Sequence, residues 1–242
     1  MDLTAWAGLD DAARLAHTTS LAARVGGRAL TPSTLERDGV EFAFVPGGRV
    51  RLGFDAERWQ PTRGQLDSYA RSVEFGLPEN PAEYLEFQVS APRTVDLPPL
   101  LMAVTSAPLW PEPDETEAAL AERGLRPPSP DEWEHACRSG STTLFRWGDE
   151  CPLDRLPGKG FEAEPNPFGL RLNFDPYILE ASTDPGVVLG GDGGTTICGG
   201  HTGLLAWLPL AASFRDPELA GLFAGEEEGL YGDLEVRAVI EI

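Results

Sequence analysis

The chain is short of cations. Its 242 residues carry 19 Lys and Arg against 39 Asp and Glu, a formal charge of −20, and Lys159 is the only lysine. A surface of that sign repels phosphate backbones, which excludes non-specific nucleic-acid binding and suits a basic protein or peptide ligand. Cysteine is scarce as well, limited to Cys137, Cys151 and Cys198. An odd, widely spaced set is a poor disulfide framework, so a reduced, cytoplasmic setting is expected. No apolar run is long enough to cross a bilayer, and no basic stretch followed by an apolar one opens the chain. Neither a membrane span nor a secretory leader is therefore expected.

Turn-forming residues, by contrast, are plentiful. Twenty-seven glycines and 22 prolines are spread through hydrophobic segments, which argues against a helix bundle and against wholesale disorder. The length suffices for one well-buried core. The expected division is an N-terminal helical segment, 1–27, and a single domain, 28–242, with many loops and turns. In the first segment Leu9, Ala12, Ala13, Leu15, Ala16 and Leu21 give an approximate helical stripe that Gly26-Gly27 stops, leaving a small apolar face to dock on the domain or on a partner.

The stretch from Leu125 to Asp149 is the most informative. Ser129 is placed to cap a helix, with Pro130 at its first position and Glu132 three residues on, as in a capping box. Acid in the first turn complements the helix dipole. Trp133, Ala136 and Cys137 make one apolar stripe on what reads as a surface helix, Gly140 ends it, and 144–149 follows as an extended, aromatic-anchored run. Upstream, Glu41 to Gly53 reads as two strands around Pro46-Gly47-Gly48. Residues 55–90 read as an elaborated insertion with a short helix over 65–75. An extended run over 94–106 and a helix over 114–123 follow. Near the C-terminus, Val187–Leu189 reads as a strand leading into a Gly-rich loop, 204–210 as an apolar strand, and 234–242 as a closing strand.

The order Arg126-x-Pro128-Ser129-x-x-Glu132-Trp133-Glu134-x-Ala136-x-Arg138-x-Gly140, followed by Trp147-Gly148-Asp149, resembles the signature of the formylglycine-generating enzyme family, the sulfatase-modifying factors. The run from Glu41 to Gly53 is similar to that family's opening hairpin. Asn166-x-Phe168-Gly169-Leu170 is similar to an internal segment, and Val236-Arg237 stands where the family ends in Gly-Phe-Arg. The family's Gly-Asn-Val-Trp-Glu-Trp run is replaced here by 175–180, with Glu180 as the counterpart acid. The resemblance spans about residues 41–242 and implies an α+β fold related to C-type lectins.

The family's enzymes oxidise a peptide cysteine with molecular oxygen and copper(I) held by two cysteines, because soft thiolates suit that ion. Gly193-Gly194-Thr195-Thr196-Ile197-Cys198 matches the first part of that pattern. Gly203 stands where the second cysteine belongs, and apolar residues replace the arginines that should follow. The resemblance therefore implies a divergent binding or regulatory module contacting a protein or peptide through Asp192, Thr195, Cys198, His201 and Trp207. The alternative is a metal-dependent oxidase with Cys198 as catalytic thiol and metal ligand and His201 as second ligand, since Cys198-x-x-His201 is metal-compatible spacing and Asp192 is near. The blander reading makes Cys198 a small buried residue and His201 a loop histidine. A third possibility is a structural subunit docking through the N-terminal helix. Copper and calcium are the cofactors the resemblance brings into question. Glu226-Glu227-Glu228 lacks the alternation of a calcium loop and reads as a solvated run. With His17, His135 and His201 as the only histidines, the related iron-dependent sulfoxide synthases are a poor match.

Overall fold

The computed structural model describes residues 1–109, 113–158, 160–161, 164–216, 219 and 234–242. The Glu226–Glu228 run and Lys159 lie outside them. Among the described residues, helices and short strands alternate around three sheets in an α+β arrangement.

Helix α1 (Leu3–Ala7) is capped by Asp2 and α2 (Asp11–Val25) by Asp10, each carboxylate accepting a backbone N–H at 2.8 Å. Gly26, at φ 77°, closes α2 in a left-handed turn that a residue without Cβ adopts freely. The buried face differs from the expected stripe. Thr18, Leu21 and Ala22 are buried while Leu15 is exposed, because the helix lies on strands β1 (Arg28–Ala29) and β2 (Thr34–Arg37) by that side. Trp6 packs its ring 4.7 Å from that of Phe44. The N-terminal segment thus docks on its own chain, within the main hydrophobic cluster.

The largest sheet runs β1, β2, β3 (Val40–Val45), β6 (Leu100–Ala103), β11 (Val239–Glu241), every pairing antiparallel. Strand β4 (Gly48–Leu52) is not the hairpin partner of β3; it pairs with β5 (Arg93–Leu97) in a separate two-stranded sheet. A Cβ on Gly47 would lie 2.4 Å from the Leu97 carbonyl oxygen, so this glycine permits the crossing that sends the chain from one sheet to the other. The third sheet contains β7 (Ala107–Pro108), β10 (Leu234–Val236), β8 (Leu179–Ala181) and β9 (Val188–Leu189). Its central pair, β8 and β10, is parallel. The expected closing strand is therefore two strands in two sheets, broken at Arg237 and Ala238.

Between β4 and β5 lie α3 (Arg63–Ala70) and α4 (Pro81–Gln88), and α5 (Pro113–Glu122) precedes α6 (Pro130–Arg138). The capping box of α6 is complete: Ser129 Oγ accepts from Glu132 N at 3.2 Å, and Glu132 accepts from Ser129 N at 2.7 Å. Yet α6 is no surface helix. Every residue from Glu132 to Arg138 is buried, charged ones included, because distant residues supply their partners. Residues 145–148 form a tight turn rather than an extended run, with Phe145 and Gly148 bonded to each other and Trp147 stacked on Phe145 at 4.9 Å.

Candidate functional site

The Gly-rich segment wraps around residues 176–178. The backbone N–H groups of Asp192 and Gly194 donate to the Pro176 carbonyl at 3.0 and 3.3 Å. A Cβ on Gly191 would sit 2.4 Å from that oxygen, and one on Gly194 would fall 2.0 Å from the Tyr177 ring. These two glycines are needed for the close approach. The buried Asp192 carboxylate accepts from Gly194 N at 2.9 Å and Thr196 N at 2.8 Å, and its carbonyl accepts from Thr195 Oγ1 at 2.8 Å. Asp192 and Thr195 thereby shape the single helical turn α7 (Thr195–Cys198).

Cys198 at the end of that turn is exposed, against the expectation of a small buried residue. Its Sγ lies 3.4 Å from Tyr177 Oη. The contact to Cys198 raises the Tyr177 phenol above its ordinary pKa. His201 follows, its ring set edge-on to Phe75 at 5.4 Å. Phe75 is 69% exposed and Tyr177 38%, so Phe75, His201, Cys198 and Tyr177 mark out a strip of accessible surface. Phe75 and Tyr177 carried no sequence signal, because each meets the loop from a distant segment.

Gly203 has φ 59° and ψ −131°, a backbone conformation that L residues avoid. A Cβ there would lie 2.0 Å from Ser68 Oγ, the atom that accepts the Leu204 N–H at 3.1 Å. A side chain at this position would need Ser68 to shift and the backbone to accept strain. The 204–210 run is helical, as α8 (Leu204–Trp207) and a 3-10 turn, not a strand. Trp207 belongs to the core rather than to a contact surface: it is buried, its Nε1 donates to Arg155 O at 3.0 Å, and its ring packs 4.9 Å from Phe161.

Two-coordinate copper(I) does not fit these residues. Burial pushes the Cys137 thiol up to about 11 and the Cys151 thiol to about 12, so neither is a ready thiolate near neutral pH. Cys137 is also sealed in the main core, away from any surface. Among the described residues no three His, Cys, Asp or Glu side chains converge on one point. Asp192 in particular has turned its carboxylate to the backbone of its own loop.

Beneath another face lies a buried cluster of charges. Glu134 on α6 is fully buried and accepts from Gly53 N at 2.6 Å, Ser90 Oγ at 3.0 Å, Arg93 at 3.0 Å, Arg138 at 3.0 Å and Arg215 at 2.9 Å. Burial alone would raise its pKa; the Arg215 and Arg138 charges, the Gly53 N–H and Arg93 outweigh that and hold it below the usual carboxylate range. Glu180, the expected counterpart acid, accepts from Trp133 Nε1 at 2.7 Å and pairs with Arg237 at 2.7 Å, both side chains 1% exposed. No protein-family model matches the chain, and no curated protein matches it.

Proposed function

We propose that this chain is a catalytically divergent relative of the formylglycine-generating family, with a fold related to C-type lectins, and that it works as a binding or regulatory module for a protein or peptide. The observation that carries this reading is Gly203. It stands where the resemblance would put the second thiolate, and its positive-φ backbone and the 2.0 Å approach to Ser68 Oγ disfavour a side chain there. What remains at the loop is a surface with an exposed aromatic at each end, Phe75 and Tyr177. Such groups give contact area at low conformational cost and suit recognition of a chain segment. The charge of −20 favours a basic segment. A loop-rich scaffold tolerates this change of use.

Selection from a random peptide library tests the reading. Enriched peptides are expected to be basic and to lose at least fivefold in affinity against Phe75→Ala or His201→Ala, both variants keeping the wild-type melting temperature. Peptides indifferent to both substitutions would place recognition elsewhere and sink it. The rival, a metal-dependent oxidase at Cys198 and His201, draws on one observation, the exposure of Cys198, and requires tight metal binding at that thiol.

A further inference from the structure

A cavity of roughly 590 Å3 opens between the end of α4, the start of β5, the first turn of α6 and residues 186–188 and 215–216. This volume lies within the range of about 300–1,000 Å3 typical of small-molecule sites. Its walls include Phe87, Pro92, Val187 and Val188, and Phe87 leaves 72% of its surface uncovered. An apolar ligand body set against these side chains would gain by the area it removes from water.

The polar groups in the wall can be accounted for donor by donor. Arg215 commits Nη1 to the carbonyls of Ala212 and Phe214, at 3.2 and 2.6 Å, and Nη2 to Glu134. Its Nε makes no hydrogen bond, although the side chain is 18% exposed. Asp131 receives both Arg93 bonds on Oδ1, from Nε at 3.1 Å and from Nη2, so Oδ2 makes none; its side chain is 35% exposed. One cationic donor and one anionic acceptor are thus without a hydrogen bond on two residues that line the same cavity, and Arg93 and Glu134 join those residues.

Charge selects the ligand class. Among the described residues, Arg93 and Arg215 on the wall are balanced by Asp131 and Asp216, with Arg138 and Glu134 behind cancelling each other. A simple anion or cation would bring an uncompensated charge into the cavity, whereas a zwitterion brings none. We propose that the cavity binds a free apolar α-amino acid. The carboxylate would accept from Arg215 Nε, the ammonium would donate to Asp131 Oδ2, and the side chain would lie on Phe87, Val187 and Val188. This proposal stands apart from the peptide surface at the Gly-rich loop and does not depend on it.

The test is calorimetric titration of the full chain with L-leucine and L-phenylalanine, alongside leucinamide, N-acetyl-leucine and isocaproate. Saturable one-to-one binding of at least one of the two amino acids is expected, with each blocked or truncated analogue at least tenfold weaker. Ala91→Trp, at an exposed position on the cavity wall, should abolish binding without lowering the melting temperature. Asp131→Asn keeps an oxygen for Arg93 but removes the charge facing the ammonium, and should weaken the amino acid at least tenfold. Three results would each overturn the proposal: no saturable binding of either amino acid, equal binding of N-acetyl-leucine, or binding unchanged in Ala91→Trp. None of them bears on the peptide selection, so the two readings fail separately.

Discussion

Replacing Glu134 by alanine is expected to cost more stability than any other single substitution in the described structure. The carboxylate is fully buried and holds Arg93, Arg138 and Arg215 together. Its removal leaves three guanidiniums facing one another, one of them Arg138 at 3% exposure, and two further donors, Gly53 N and Ser90 Oγ, without their acceptor. Breaking a single buried ion pair costs about 3–5 kcal/mol, and a hub of three lies at or above the top of that range. Against a total stability of about 5–15 kcal/mol, the variant should be largely unfolded or bring a large drop in the urea midpoint. A loss under about 1 kcal/mol in urea denaturation would contradict this placement of the charges.

The same site sets a pH dependence. The folded pKa values of Glu134 and Glu132 are depressed, Glu134 despite its burial and Glu132 through Arg126 and the Ser129 N–H, likewise against burial. The unfolded chain therefore takes up protons first as pH falls. Their contribution is fully present above the unfolded value of about 4.3 and is lost as pH drops below it toward the folded values. The urea midpoint of the wild type should fall steeply in that window. The acid limb of a Glu134→Gln variant, already lower in stability, should be shallower.

Arg237→Ala is expected to have the second-largest effect. Arg237 sits where the chain leaves β10 for β11, and its guanidinium ties two sheets together. It donates to the carbonyls of Ala103, the last residue of β6, and of Val104 after it, at 3.0 and 2.7 Å, and to Glu180 on β8. Truncation strands the Glu180 charge in the core with Trp133 Nε1 as its remaining partner, at a cost of about 3–5 kcal/mol. Pairing Arg237→Met with Glu180→Leu should recover much of the loss, because apolar residues can replace a buried pair once neither charge is left alone. A double variant no more stable than Arg237→Ala would show that the lost packing, not the stranded charge, dominates.

These arginine and glutamate clusters explain which parts of the fold could be read in the chain. The capping box at Ser129 was legible because both halves of it lie within four residues. The burial of α6 was not, since the groups that neutralise Glu134 arrive from Arg93 and Arg215, far away in sequence. Pro46-Gly47-Gly48 announces a change of direction correctly but carries no information on which sheet receives the next strand. The 204–210 run misled for a different reason: a short, wholly apolar stretch has no period to separate strand from helix. At the candidate site, Gly203 stood out only through the resemblance, as the residue in place of a cysteine. The strained backbone and the close approach of Ser68 that disfavour a side chain there come only with the folded chain. Cys198 closes a helical turn that His201 follows, whereas Trp207, a contact residue on the sequence reading, is buried and packs against Phe161.

The most direct test of the account is a copper(I) titration of the reduced protein against a competing chelator, run on the wild type, Cys198→Ser and Gly203→Cys. The wild type and Cys198→Ser should compete equally poorly for the ion. Gly203→Cys should melt lower, the strained backbone costing about 1–3 kcal/mol, without gaining a tight site. Tight one-to-one binding by the wild type that Cys198→Ser abolishes would contradict the reading of a divergent binding module and return the Gly-rich loop to metal chemistry.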